Sequence, residues 1–353
     1  MGAVFLLISL GLITLFSLAG ISNAPFLERQ LIWSLIGIGA LVMGSFIDFR
    51  LFRTQGFIVL LFYLFSVFLL IIVLIGNFTI RGIAAWIQIG DILIQPVELT
   101  KLAVIILLAK FFSKRHIEIY RIQHILVSGL YVAIPAGLVL IQPDLGSAIV
   151  LLAIWILMII FSGMKLRHFF FLLAFAGLLC WIAWAFMLAP YQKARITSFV
   201  DPYIEPRGAG YQMIQSMIAV GSGQLWGKGL GYGSQTHLHF LPEAETDFIF
   251  AAFAEEWGLV GVAVMLVLIF IVIWRIVAIG MRASDNFSRL YTLGFAALIF
   301  VQSFIHIGMN MGVLPVTGLT LPFVSYGGSS LVTLLAGVGI VQNIKINSRR
   351  EIE

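Results

Sequence analysis

Apolar residues fall in long runs separated by short polar stretches. Ten runs are long enough to cross a bilayer: residues 3–20, 31–48, 57–75, 98–113, 125–142, 146–162, 168–189, 248–279, 290–311 and 328–344. The pattern predicts an all-α polytopic membrane protein with about ten transmembrane helices, forming a single membrane domain over residues 1–353. A polar loop of nearly sixty residues, 190–247, separates the seventh and eighth runs and leads straight into the eighth helix. Two shorter breaks lie at 76–97 and 312–328. In the first, Trp86-Ile-Gln-Ile-Gly90-Asp91-Ile-Leu-Ile-Gln95 alternates around a Gly-Asp turn and predicts a short interfacial hairpin. The second is uncharged and rich in Gly, Pro, Ser and Thr. Such backbone is tolerated near a membrane where it packs in protein or lines a cavity.

Composition agrees with the pattern. Of 353 residues, 61% are hydrophobic and 10% charged, with a mean hydropathy of +1.07, where a soluble domain carries about 25% charge. The one cysteine, Cys180, lies in an apolar run and reads as a small buried hydrophobe. A net charge of +5 could suggest nucleic acid, but the basic residues sit mostly in short loops between apolar runs, which is a topology signal. With the N-terminus inside, 14 of the 21 Lys and Arg fall on the cytoplasmic side. Both termini are then expected in the cytoplasm, with 76–97, 190–247 and 312–328 outside. The first run lacks a basic n-region and is followed by many more spans, so it reads as a helix rather than a cleaved signal.

Against this background residues 235–258 stand out. Five carboxylates, Glu243, Glu245, Asp247, Glu255 and Glu256, fall within fourteen residues at a membrane boundary, where charge is costly and usually functional. Asp247 precedes Phe-Ile-Phe-Ala-Ala-Phe and reads either as an N-cap of the eighth helix or as a general base tuned by a partly desolvated site. Composition does not choose among the five.

Other polar residues carry two readings each. Glu98 and Lys101 share one helix face and form either a structural ion pair or an anion site in which Lys101 meets a phosphate. Asp144 is a helix cap or a site acid; Arg81 and Trp86 are an interfacial anchor pair or substrate contacts. The alternating glycines from Gly221 to Gly233 look like a phosphate-cradling loop but lack the strand-then-helix context of a nucleotide fold. His237 and His239 alternate without a convincing third metal ligand, so no protein metal site is assigned.

Five motifs, in order along the chain, resemble the SEDS family (shape, elongation, division and sporulation). They are Gln95-Pro96-x-Glu98-Leu99-x-Lys101, Gln142-Pro143-Asp144-Leu145-Gly146, and Arg195 with Gly210-Tyr211-Gln212 and Gln215-Ser216. Leu241-Pro242-Glu243-Ala244-x-Thr246-Asp247-Phe248 and Pro322-x-Val324-Ser325-Tyr326-Gly327-Gly328-Ser329-Ser330 complete the set. The resemblance implies a peptidoglycan glycosyltransferase of the bacterial cytoplasmic membrane that polymerises lipid II on the outer face by inverting glycosyl transfer, with Asp247 as the catalytic residue. It also implies a class B penicillin-binding protein, a transpeptidase, as partner within the elongation machinery. Glu98, Lys101, Asp144, Arg195, Arg81, Trp86, Gln212, Gln215, Glu243, Ser325 and Tyr326 form the expected substrate-binding set. A divalent cation (Mg or Mn) could help neutralise the pyrophosphate, with no evident protein motif to hold it. Many members carry His where this chain has Glu245, and division-type members carry Lys at the position of Thr317; Thr317 favours the rod-shape branch. The competing readings are a lipid II flippase and a non-catalytic scaffold for the transpeptidase.

Overall fold

The computed structural model describes residues 1–20, 25–48, 50–76, 85–90, 92–114 and 122–164, positions 167, 168, 170, 171, 174, 177, 178, 181, 183–187, 193, 197–203 and 208, and residues 210–350. Nine of the ten expected helices lie among them: α1 (Gly2–Ala19), α2 (Phe26–Phe46), α4 (Gly56–Gly76), α5 (Pro96–Ser113), α6 (Ile122–Ile141), α7 (Leu145–Phe161), α10 (Ile249–Met281), α11 (Asn286–Asn310) and α12 (Gly328–Arg350). Short helices α3 (Arg50–Thr54), α8 (Tyr211–Ser222) and α9 (Ser234–His237) complete the described set, and Ala183–Met187 forms a π-helical turn. The rest of the 168–189 run lies largely outside the described residues. The predicted hairpin is present as β1 (Ile87–Ile89) and β2 (Ile92–Ile94), antiparallel, with Ile87 opposite Ile94 and Gly90 at φ 62°.

Seven of these helices are long and apolar enough to span a membrane on their own. The chain is a multi-pass membrane protein. Two helices fall short individually: α5 carries Glu98, Lys101 and Lys110, and α7 has 17 residues. Both are sheltered by neighbours. Almost every side chain of α5 is buried, as is most of α11, so these two helices form the centre of the bundle. The periphery is the reverse of a soluble surface. Leu35, Phe46, Phe57 and Ile75 are 71–83% exposed, as apolar residues facing lipid should be. α2 begins five residues before the apolar run because the polar turn Glu28-Arg29-Gln30 is helical too; Gln30 is buried and used in the site described below.

Alternation of the helices places the hairpin, Asp144, residues 210–247 and the 312–327 loop at one end of the bundle, here the loop end. The opposite end gathers Arg53, which pairs with Asp285 at 3.6 Å and whose carbonyl accepts from Lys110 Nζ. Helices α2 and α12 cross closely because small residues meet. A Cβ on Gly339 would lie 2.4 Å from the Leu41 carbonyl oxygen, and one on Gly44 3.0 Å from that of Ala336.

Gly339→Ala should therefore destabilise the protein by about 1–3 kcal/mol through backbone overpacking. Gly39→Ala, on the open side of α2 with nothing within 4 Å, should leave stability unchanged. Thermal unfolding in detergent compares the two.

Candidate active site

The acidic turn before α10 is tied, bond by bond, to the uncharged 312–327 loop. Tyr326 N–H donates to the Glu245 carbonyl at 2.9 Å, and Ser325 Oγ donates to the Thr246 carbonyl at 2.8 Å while accepting from Leu321 N–H at 2.8 Å. Asn310, at the end of α11, donates from Nδ2 to the Asp247 carbonyl at 3.0 Å and accepts from Ala251 N–H at 3.1 Å. From the far side, Gln30 of α2 donates to the Ser325 carbonyl at 3.2 Å and accepts from Gly327 N–H at 3.3 Å. Asp247 is thus half-buried on a turn whose backbone is held from three sides. The N-cap of α10 is Phe248 rather than Asp247. Gly318, at φ 73°, faces Asp247, and a Cβ there would lie in ordinary contact with Asp247 Oδ2, at 3.6 Å. Glu243, at φ 53°, closes the same turn: its carbonyl accepts from Thr246 N–H and Phe248 N–H at 3.2 Å, and its Oε2 accepts from Thr246 Oγ1 at 3.3 Å.

The second polar group lies between α5 and α7. Lys101 Nζ donates to Glu98 Oε1 at 2.8 Å, with both residues buried. Asp144 caps α7 by accepting from Ser147 N–H at 2.9 Å. Its burial pushes the carboxyl above its usual range; the Ser147 bonds and the nearby Lys101 charge pull it back, while Glu98 raises it. Gly146 joins this group to the first, since a Cβ there would lie 2.7 Å from the Thr317 carbonyl oxygen. Ser329, in the first turn of α12, accepts from Gln95 N–H at 3.0 Å and so brings in the start of α5. The N-termini of α5, α7, α10 and α12 therefore meet around one loop. Their N-terminal ends carry positive partial charge, which Asp144 meets at α7 while Glu98 pairs with the Lys101 ammonium.

The remaining acids have a different task. Glu255, fully buried, accepts from Lys228 Nζ at 2.7 Å, Gln235 N–H at 2.9 Å, and Thr236 N–H and Oγ1 at 3.2 Å. Glu256 accepts from Ser17 Oγ and from Gly231 N–H at 3.1 Å, with His237 Nε2 at 3.4 Å. The glycine-rich segment thus wraps the protein's own carboxylates rather than a phosphate. Gly227, Gly229 and Gly231 supply its positive φ angles of 80–93°.

The structure brings together Asp247, Glu243, Ser325 and Tyr326 in one cluster and Glu98, Lys101 and Asp144 in a second, adjoining one. Trp86 is half-buried at the entry to the hairpin. Gln212 and Gln215 are half-buried on α8, whose Ser216 donates to the Asn310 carbonyl at 2.8 Å. Arg81 and Arg195 lie outside the described residues. Among the described residues no three His, Cys, Asp or Glu side chains are grouped to hold a metal ion. Sequence reasoning missed Gln30, Gln302, His306 and Asn310. The last three recur at every fourth position of an apolar helix, which is the available signal.

Fold and site define a polytopic membrane protein with an acidic turn and a buried polar cluster at one end of its bundle. Residues 1–350 match the family model FTSW_RODA_SPOVE, described as cell cycle protein, and the chain belongs to the FtsW/RodA/SpoVE family. It is 38% identical to stage V sporulation protein E of Bacillus subtilis (strain 168) over 98% of this chain and 95% of the relative. It is 39% identical to peptidoglycan glycosyltransferase MrdB of Escherichia coli (strain K12) over 80% and 76%. A chain from a peptidoglycan synthase complex that coordinates polymerization and crosslinking superposes with a TM-score of 0.83 at 34% identity, covering 98% and 96%. The crystal structure of the Thermus thermophilus rod shape determining protein RodA superposes with a TM-score of 0.72 at 29% identity, covering 98% and 95%.

Glu255→Gln removes a charge on which several donors converge. It should cost about 1–3 kcal/mol and loosen the 222–240 segment, raising its rate of limited proteolysis, whereas Glu243→Gln should leave that segment protected.

Proposed function

We propose that this protein is a peptidoglycan glycosyltransferase that polymerises lipid II during cell elongation. It acts in the bacterial cytoplasmic membrane with both termini inside and the loop end outside. The observation that carries the reading is the sorting of the carboxylates. Glu255 and Glu256 are buried among donors of the large loop, while Asp247 stands half-buried on the turn, facing Gly318 and beside the loop around which four helix N-termini and the Glu98–Lys101 pair gather. The catalytic naming of relatives such as MrdB supports the same activity.

In the reaction, a sugar 4-hydroxyl oxygen attacks the anomeric carbon of a lipid-linked disaccharide. Asp247 takes the hydroxyl proton as general base. The bond from the anomeric carbon to pyrophosphate breaks, its electron pair leaves with the phosphate, and configuration inverts. Lys101, held by Glu98, offers the leaving pyrophosphate a fixed positive charge, with Arg81 and Arg195 as further cationic contacts. Asp144, Trp86, Gln212, Gln215, Glu243, Ser325 and Tyr326 complete the proposed substrate contacts. A divalent cation is proposed only as a companion of the substrate pyrophosphate, since the described side chains offer no ligand set for it. The partner is a class B penicillin-binding protein, consistent with the superposed relative from a peptidoglycan synthase complex.

A flippase would place charge through the bilayer. In α5 only apolar residues, Leu102–Ala109, lie between Lys101 and Lys110, which favours chemistry at one end over passage. A scaffold would keep full function without Asp247.

Purified chain with its transpeptidase should make glycan from labelled lipid II, and a folded, partner-bound Asp247→Asn variant should make none. Asp247→Asn activity equal to wild type would remove the proposed base.

A further inference from the structure

Helix α11 carries a polar stripe in an otherwise apolar span. Gln302, His306 and Asn310 recur at i, i+4 and i+8, so they line one face, and all three are fully buried. Each reaches a different backbone point around the acidic turn. Gln302 Nε2 donates to the Thr320 carbonyl at 3.1 Å and to its Oγ1 at 3.2 Å. His306 Nδ1 stands 2.7 Å from the Leu319 carbonyl oxygen. Asn310 holds the Asp247 carbonyl and the Ala251 N–H.

A carbonyl only accepts, so His306 Nδ1 carries the proton and the ring is fixed as a donor to Leu319. Leu319 adjoins Gly318, which faces Asp247 Oδ2 (a Cβ there would lie in ordinary contact, 3.6 Å away), and Thr317 on its other side rests on Gly146, next but one to Asp144. One helix thus holds Asp247 from its main chain and holds the facing wall through Leu319 and Thr320.

We propose that His306 is a positioning residue for glycosyl transfer. By holding the Leu319 carbonyl it keeps the Gly318 wall, and with it the Asp247 carboxylate, at reacting geometry, with Gln302 and Asn310 as the outer members of the same stripe. His306 does not exchange a proton with substrate. This inference rests on the assignment of Asp247 as the base.

The test uses the full chain with its transpeptidase, reading initial polymerisation rate against lipid II concentration and, in parallel, the thermal midpoint. His306→Phe keeps the ring and deletes the donor; His306→Gln returns a donor on a flexible arm. His306→Phe should lose tenfold or more in kcat, with KM within about twofold, because small displacements of reacting groups are costly in rate, and His306→Gln should recover most of that loss. Gln302→Met, which removes the donor to Thr320 at similar volume, should show the same split and decides the question if His306→Phe does not fold. A folded His306→Phe or Gln302→Met with wild-type kcat, whether or not its midpoint falls, overturns the positioning role. Asp247→Asn in the same assay separates the two claims. If it is inactive while His306→Phe is fully active, positioning alone fails; if it is fully active, the base assignment fails and the positioning role with it.

Discussion

Irregular backbone can sit among membrane helices only if its peptide groups find partners inside the protein, since lipid offers none. The 312–327 loop meets that condition through side chains from two separate helices, Gln30 of α2 and Gln302 and His306 of α11, while Ser329 of α12 does the same for the adjoining hairpin. Each of these donors is buried or half-buried, and each would be a liability without its carbonyl. The polar side chains and the loop are therefore mutually required. Removing the loop would orphan the side chains, and removing the side chains would leave the loop's carbonyls bare in hydrocarbon. The position of Asp247 depends on this arrangement, because the loop is bonded to the turn at Glu245 and Thr246 and faces the carboxylate at Gly318.

The same reasoning sorts the acids. A buried carboxylate is tolerable when several donors converge on it. Glu255 meets an ammonium, two amides and hydroxyls; Glu256 meets a hydroxyl and an amide. Their charges are spent on ordering the chain from Ser222 to His237. Glu98 is spent on Lys101, which leaves that lysine charged in a place where an isolated ammonium would be expensive. At the turn itself, the main chain of Glu245, Thr246 and Asp247 is recruited for structure by Tyr326, Ser325 and Asn310.

The helices were legible because hydrophobic length is a coarse property. The ends were less so: α2 starts at Phe26 because Glu28, Arg29 and Gln30 stay helical at a polar boundary, where a hydropathy pattern sees only a break. The hairpin at 87–94 was legible from alternation around Gly90. The division of labour among the acids was not, because the partners of Glu255 and Glu256 include backbone amides of Gly231, Gln235 and Thr236, and every residue type but proline offers an amide. His306 was hidden for the same reason. Its partner is a carbonyl thirteen residues away, and a lone histidine in an apolar run carries no mark of what it holds. Only the fourfold spacing of Gln302, His306 and Asn310 hinted at a common face.

Helix α10 shows why the site can be rigid at a membrane edge. Gly258, at φ 64° and ψ −167°, breaks the helix nearly three turns after Phe248. The break exposes the amides of Leu259 and Val260, and the large loop repairs it: those amides donate to the carbonyls of Gln224 and Leu225 at 2.8 and 3.1 Å. Close approach there requires two facing glycines, since a Cβ on Gly258 would lie 2.3 Å from Gly227 N and one on Gly227 2.1 Å from the Glu256 carbonyl oxygen. The segment from Ile249 to Trp257 is consequently fixed at both ends, by Asn310 at its start and by the glycine-rich loop at its finish. Asp247 projects from the start of that short clamped segment. It is therefore insulated from bending of the long apolar remainder of α10, whose outer face, including Val264, Val267 and Phe270, is exposed to lipid.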